Sequence, residues 1–147
     1  MTLPKPRKIK VERYIEGLSK LKKINNPIKL SANESALGAS PKAIKAFEKD
    51  KDKIFYYPES DSESLRNVIS KKFNIEANRI ICGAGSDQIF DLVCKLFLDL
   101  GDEVIVTEFG FIMHRIYASL HGAKVLLAKE HNYKASVDEI LKKVTDK

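Results

Sequence analysis

The stretch RIICGAGSDQIFDLVCKLFLDLGDEVIVTEFGFIMHRIYASLHGAKVLLA, residues 79–128, decides the fold class. Arg79-Ile-Ile-Cys82 is a short apolar run of strand type, and Gly83-Ala-Gly-Ser86 turns it. Ile89, Phe90, Val93, Cys94, Phe97 and Leu98 follow at helical spacing, and Gly101 stops the helix. Glu103-Val-Ile-Val-Thr107 reads as the next strand. A helix through Met113, Ile116, Tyr117 and Leu120 ends at Gly122, and Lys124-Val-Leu-Leu-Ala128 reads as a third strand. Strands alternating with helices predict an α/β domain with a mainly parallel sheet and flanking helices.

Working outward, Ser136-Val-Asp-Glu139 is a capping-box pattern that opens a last helix with Ile140, Leu141 and Val144. Upstream, Ser40-Pro41 is a helix start, since proline is tolerated where the N–H has no partner. That helix runs to about Asp50, and Tyr56-Tyr57-Pro58 breaks the pattern. Ser60-Asp-Ser-Glu63 predicts a second capping box, with Leu65, Val68, Ile69 and Phe73 behind it. Asn33-Glu-Ser-Ala-Leu-Gly-Ala-Ser40 reads as a loop, and Ile28–Ala32 as a short extended run. The expected organisation is a basic arm and loop over residues 1–39 and a partial α/β domain over 40–147.

The net charge of +6 is local. Residues 1–23 hold eight Lys or Arg and two Glu, which accounts for all of it, and the other 124 residues carry eighteen bases and eighteen acids. A neutral body argues against a nucleic-acid binder, although a basic arm can hold phosphates by counterion release. No apolar run approaches the roughly 18 residues of a membrane span. The N-terminus has no apolar signal core, and Cys82 and Cys94 show no metal-type spacing. The expectation is a cytoplasmic protein with reduced thiols.

Two loops can carry chemistry. At Gly83-Ala-Gly-Ser-Asp87 the glycines allow close approach, the following helix offers unpaired N–H groups and a positive dipole end, and Ser86 adds a hydroxyl. That set suits a phosphate, and a bare strand–helix turn that binds nothing is the competing reading. A dinucleotide fingerprint needs a third glycine where Gln88 stands, although Glu108 could serve as the ribose-binding acid. No Gly-Lys-Ser or Gly-Lys-Thr is present, so a Walker loop is excluded. Thr107-Glu-Phe-Gly-Phe111 should face the same crevice, where Phe109 and Phe111 could cover a planar ring or could simply pack. His114, His121 and His131 show no triad or metal pattern.

The ordered set of Lys29–Ile44, Tyr57-Pro58, Gly83–Gln88, Gly101–Val106 and Gly122–Val125 resembles the histidinol-phosphate aminotransferase family, from about residue 13 onward. That family is of the fold-type-I, pyridoxal-phosphate-dependent aminotransferases. The resemblance implies the N-terminal part of such an enzyme's large domain, preceded by an arm, with pyridoxal 5'-phosphate as cofactor. By that resemblance Gly85, Ser86 and Asp87 hold the cofactor phosphate and Phe111 stacks on the pyridine ring. It likewise implies that Tyr57 reaches across a homodimer to the partner's cofactor, and that Asn33, Glu34 and Tyr14 lie near a small-molecule substrate. The family reaction moves an amino group between glutamate and imidazole-acetol phosphate in histidine biosynthesis.

Departures accompany the match. Ser35-Ala36 stand where the family often has Asn-Pro, and His114 replaces a common Tyr. The family's Schiff-base lysine, its Asp for the pyridine nitrogen and its substrate-clamping arginines have no match. Leu18-Ser19-Lys20 echoes the lysine motif but stands in the basic arm. In the family fold, later strands separate the first large-domain strand from the next two, so residues 79–82 are expected to lack a neighbour. The chain is therefore expected to be an incomplete member, a truncated product or a partial sequence. Alternatives are a fragment of another fold-type-I aminotransferase or decarboxylase, or a non-catalytic half that needs a partner chain. The 147-residue polypeptide alone is expected to give no turnover with glutamate, imidazole-acetol phosphate and pyridoxal phosphate. A coupled assay for 2-oxoglutarate checks this, and release above the free-cofactor background contradicts it.

Overall fold

A computed structural model describes residues 9–18, 22–25 and 27–147, which form two compact units. Residues 15–82 make one, and residues 9–14 with Gly83–Lys147 make the other. Residues 1–39, expected as one arm, thus contribute to both, and the Ser19-Lys20 pair lies outside the described residues.

In the unit of residues 15–82, helix α1 spans Pro41–Asp50 and helix α2 spans Glu63–Phe73. Proline occupies the first position of α1, and the Ser40 carbonyl accepts from the Ile44 N–H at 3.0 Å. The Ser40 hydroxyl makes no cap bond. The capping box expected at Ser60–Glu63 is not formed. Ser62 precedes α2 in the left-handed region (φ 55°), and carboxylates take over as caps. Asp61 Oδ1 accepts from the Glu63 N–H at 3.2 Å, and Glu59 Oε2 accepts from the Ser64 N–H at 2.8 Å. A carboxylate at a helix N-terminus also meets the positive dipole end, which a hydroxyl does not exploit. Arg66 then pairs with Asp61 at 2.8 Å and donates to the Ala77 carbonyl at 3.0 Å, tying α2 to the tight turn at Ala77–Arg79.

The strand expected at Arg79–Cys82 is not formed. Ile80 has extended angles (φ −114°, ψ 127°), but residues 80–83 pair with no strand among the described residues. A strand is a partnered object, and Ile81 is left 75% exposed.

The other unit matches the expected alternation closely. It runs α3 (Gly85–Phe97), β1 (Glu103–Thr107), α4 (Met113–Leu120), β2 (Lys124–Ala128), a hairpin of β3 (Glu130–His131) and β4 (Lys134–Ala135), and α5 (Val137–Leu141). Strands β1 and β2 pair in parallel, from Glu103 opposite Lys124 to Thr107 opposite Ala128. Gly101 and Gly122 both have positive φ (97° and 87°), and the Gly101 N–H donates to the Gly122 carbonyl at 3.2 Å. The two glycine turns are thus bonded where the strands begin. A Cβ on Gly122 would come within 2.7 Å of Leu100 Cδ1, so glycine is required there for space as well as for conformation.

The buried residues among those described are Ala118, Ala123 and Ala128, small side chains on α4 and on or beside β2. Helices α3 and α4 pack together, with His121 Nε2 bonded to Asp91 Oδ1 at 2.8 Å. The β3–β4 hairpin was not expected. Asn132 and Tyr133 both have positive φ (52° and 59°), the two-residue turn that fits the twist of a hairpin. At the final capping-box pattern only the hydroxyl half is formed: Ser136 Oγ accepts from the Glu139 N–H at 3.4 Å, while Glu139 Oε1 accepts from Lys142 Nζ at 2.6 Å.

Glu103 closes the start of the sheet. It bonds Lys124 Nζ at 2.8 Å, and its other oxygen accepts from Thr145 Oγ1 at 2.7 Å. Chiefly the Lys124 bond, then the Thr145 bond, hold its carboxyl below the ordinary value of 4.5. A depressed folded-state value means that the stabilisation is complete above pH 4.5 and is lost as pH falls through the lower folded-state value. Urea titrations from pH 6 downward should show wild type losing more stability below about pH 4.5 than Glu103→Gln does. Equal acid sensitivity would contradict this.

Candidate functional site

The turn into α3 is built around backbone donors. Gly85 opens the helix with φ 79°, a conformation that costs any residue with a Cβ. A Cβ built there meets nothing within 4 Å, so the space in front of the turn is open. The Gly85 N–H donates to the Gly83 carbonyl at 2.9 Å, and the Ala84 N–H donates to Gln88 Oε1 at 2.6 Å. The N–H groups of Ser86 and Asp87, the second and third residues of the helix, have no acceptor among the described residues. Two free donors, the Ser86 hydroxyl and the helix dipole make a cradle that suits a phosphate.

Asp87 makes no cap bond in this turn. Its charge is felt on α4: burial first, then the Asp87 and Asp91 carboxylates, push the Tyr117 phenol above its ordinary 10.0. Tyr117 therefore stays a neutral hydroxyl at physiological pH. Gln88, which stands where a dinucleotide fingerprint needs its third glycine, performs the capping. The signal was present, since an amide four residues beyond Ala84 can reach back over one helical turn. Cys94 is a free thiol, and burial followed by the Asp91 charge raises its pKa, which keeps it inert.

Phe111 stands just before α4 and is about half exposed (48%). His114 lies edge-on both to Phe111, with ring centroids 6.1 Å apart, and to Phe90 of α3, at 4.4 Å. This aromatic chain joins the Phe111 loop to the N-terminal half of α3. Tyr14 lies edge-on to Phe111 at 6.2 Å. The structure therefore brings Tyr14 and Phe111 together and places Gly85, Ser86 and Asp87 in the same unit. The other three expected site residues belong to the unit of residues 15–82. There Glu34 pairs with Lys29 at 2.9 Å, Asn33 lies in the adjoining exposed loop, and Tyr57 is fully exposed.

Three residues not singled out beforehand hold the Phe111 loop. Glu130 Oε1 accepts from the Phe109 N–H at 3.1 Å, the Tyr133 ring lies 5.3 Å from that of Phe109, and Arg115 donates to the Glu108 carbonyl. Among the described residues no group of three or more His, Cys, Asp or Glu could hold a metal, and no helix is long and apolar enough to cross a membrane.

An α/β unit with a parallel strand pair and an anion cradle at a helix N-terminus defines the class of site. Residues 25–147 match the family model for aminotransferase class I and II, and the chain belongs to that family. It is 53% identical over 147 residues to the histidinol-phosphate aminotransferase of Pelagibacter ubique, covering all of this chain and 41% of the relative. It is 39% identical over 147 residues to that of Paramagnetospirillum magneticum, covering 99% of this chain and 40% of the relative. The chain thus spans about two-fifths of the length of these curated relatives.

Among solved structures, it is similar to histidinol-phosphate aminotransferase from Sinorhizobium meliloti in complex with pyridoxal-5'-phosphate. The TM-score is 0.72 at 18% identity, over 76% of this chain and 30% of that one. It is also similar to the aromatic aminotransferase from Pyrococcus horikoshii, with a TM-score of 0.64 at 26% identity, over 74% of this chain and 32% of that one. The fold is that of the fold-type-I aminotransferases, here a partial α/β domain with a parallel sheet.

Removing the Gln88 cap tests the geometry of the cradle. Gln88→Ala should speed exchange of the Ala84 amide and cost about 1 kcal/mol of stability, the usual value of a lost N-terminal cap. Gln88→Glu keeps an acceptor and should retain most of the protection. Hydrogen exchange by NMR with urea unfolding measures both, and an unchanged Ala84 rate in Gln88→Ala contradicts the assignment.

Proposed function

We propose that this polypeptide supplies the cofactor-gripping part of a histidinol-phosphate aminotransferase. The reaction transfers an amino group between glutamate and imidazole-acetol phosphate in histidine biosynthesis, with pyridoxal 5'-phosphate as cofactor. The observation that carries the reading is 53% identity across all 147 residues with a curated enzyme of that activity. Similarity of fold is a weaker guide to substrate, because the solved neighbours include alanine, aspartate and aromatic aminotransferases.

The residues present fit the cofactor. The phosphate would be held by the free N–H groups of Ser86 and Asp87 and by the Ser86 hydroxyl, in the open space in front of Gly85. Phe111 would lie on the pyridine ring, with Tyr14 against it on the substrate side. When bound, the cofactor supplies the electron sink for amino transfer. The chain's own contribution is binding and orientation: dipole and donors fix the anion, and the aromatic wall fixes the ring plane. Asn33 and Glu34 are assigned to the substrate. Tyr57 is assigned to the cofactor phosphate of a second subunit in a cytoplasmic homodimer, a role that its complete exposure permits.

The test is an NMR titration with inorganic phosphate and with pyridoxine 5'-phosphate, which lacks the aldehyde that would label lysines at random. Phosphate should shift the amides of residues 84–88 with millimolar affinity, about −4 kcal/mol. Ser86→Ala should weaken it about fivefold, the equivalent of one hydrogen bond of about 1 kcal/mol. Shifts confined to the basic segment, residues 5–23, would contradict the reading.

A further inference from the structure

The geometry points to Glu130 as a positioning residue that sets the ring-stacking loop, acting through the Phe109 N–H. The inference rests on the reading of Phe111 as the residue that covers the cofactor ring, and goes beyond it by naming what fixes that residue in place.

The loop leaves β1 at Thr107 and enters α4 at Met113. Its two ends are secured. The Glu108 N–H donates to the Ala128 carbonyl at 2.9 Å, continuing the ladder between β1 and β2. At the far end the His114 N–H donates to the Phe111 carbonyl at 3.2 Å. Between them the Gly110 N–H folds back on the Thr107 carbonyl at 3.2 Å, which tightens the turn without tying it to anything outside. The Phe109 N–H is directed outward, and its acceptor is Glu130 Oε1 at 3.1 Å. A carboxylate acceptor makes this a charge-assisted bond, stronger than an amide–carbonyl pair.

Glu130 is itself placed by structure. It is the first residue of β3 and pairs with Ala135 across the hairpin. The hairpin turn then delivers the Tyr133 ring to within 5.3 Å of the Phe109 ring. The hairpin thus meets Phe109 twice, once at the backbone and once at the ring. Arg115, four residues beyond Phe111, holds the Glu108 carbonyl from the helix side. The loop is gripped from both flanks, and Glu130 takes the backbone N–H two residues before Phe111. Phe109 is 60% exposed, so its N–H has water to turn to when Glu130 is removed, and the loop then loses its fixed aim rather than its fold.

The experiment compares wild type with Glu130→Ala, Glu130→Gln and Glu130→Asp in the full chain. It reads the exchange rate of the Phe109 amide, and separately the affinities for pyridoxine 5'-phosphate and for inorganic phosphate. Glu130→Ala should speed exchange at Phe109 at least tenfold. It should weaken pyridoxine 5'-phosphate several-fold and leave inorganic phosphate at residues 86–88 unchanged. Glu130→Gln keeps an acceptor oxygen at the same reach and should restore both readouts. Glu130→Asp keeps the charge but falls one methylene short, and should behave as Glu130→Ala does. It also serves as the second variant should Glu130→Ala lose its dispersed spectrum. An unmoved Phe109 amide in Glu130→Ala and Glu130→Asp, or equal weakening of both ligands, overturns the role. A wild-type chain that binds neither ligand overturns the cofactor reading and this role with it. That outcome is distinct from failure of the role alone, in which wild type binds both ligands and the Phe109 amide is unmoved.

Discussion

Parallel pairing of β1 with β2 is the constraint on which the rest of the larger unit depends. Because Thr107 stands opposite Ala128, both strands end at the same level, and the chain that follows each emerges side by side. That coincidence lets the Glu108 N–H extend the ladder to Ala128 and puts Glu130, two residues further on, beside Phe109. Parallel strands need a helical crossover, here α4, and α4 carries His114 and Arg115 to the same end. A one-residue slip in register would turn every side chain of β2 to the other face and separate Glu130 from the loop that it holds. The bonded glycine turns at the opposite end, and the Glu103–Lys124 pair beside them, are what oppose such a slip.

The second dependence is electrostatic. Helix α3 has thirteen residues, long enough to present a developed dipole, and its first turn leaves the Ser86 and Asp87 N–H groups without acceptors. Gln88 takes the Ala84 N–H and so fixes where the donors begin. Asp87 adds a negative charge to that turn, yet its influence registers on Tyr117 of α4, and no donor in the turn is spent on it. The aromatic chain Phe90–His114–Phe111 joins this donor set to the Phe111 loop.

Much of this was legible in the residues. The strands at 103–107 and 124–128 stand where their apolar runs stand, because Gly101 and Gly122 mark the helix ends unambiguously. The helices at 41–50, 85–97 and 113–120 follow from their spacing. Other features depend on context that local patterns do not carry. At Ser60–Glu63 the pattern was right for a cap, but Glu59 and Asp61 reached the free N–H groups as carboxylates, which the helix dipole favours. At Arg79–Cys82 the composition was right for a strand, but a strand needs a neighbour, and composition does not supply one. The hairpin at 130–135 is only two residues wide on each side, too short for alternation to show. Its one cue was Asn132 at a turn position. Glu130 and Arg115 could not be found from spacing, because their partners are backbone groups brought near by the sheet register.

The proposed function requires the α3 turn and Phe111 to grip two parts of one phosphopyridine. Intermolecular NOEs between the labelled chain and unlabelled pyridoxine 5'-phosphate test it most directly. NOEs are expected from the methylene next to the phosphate to the amides of residues 86–88, and from the ring substituents to the Phe111 side chain. NOEs to Lys22, Lys23 and other residues of the basic segment alone, with none to residues 86–88 or Phe111, would contradict it.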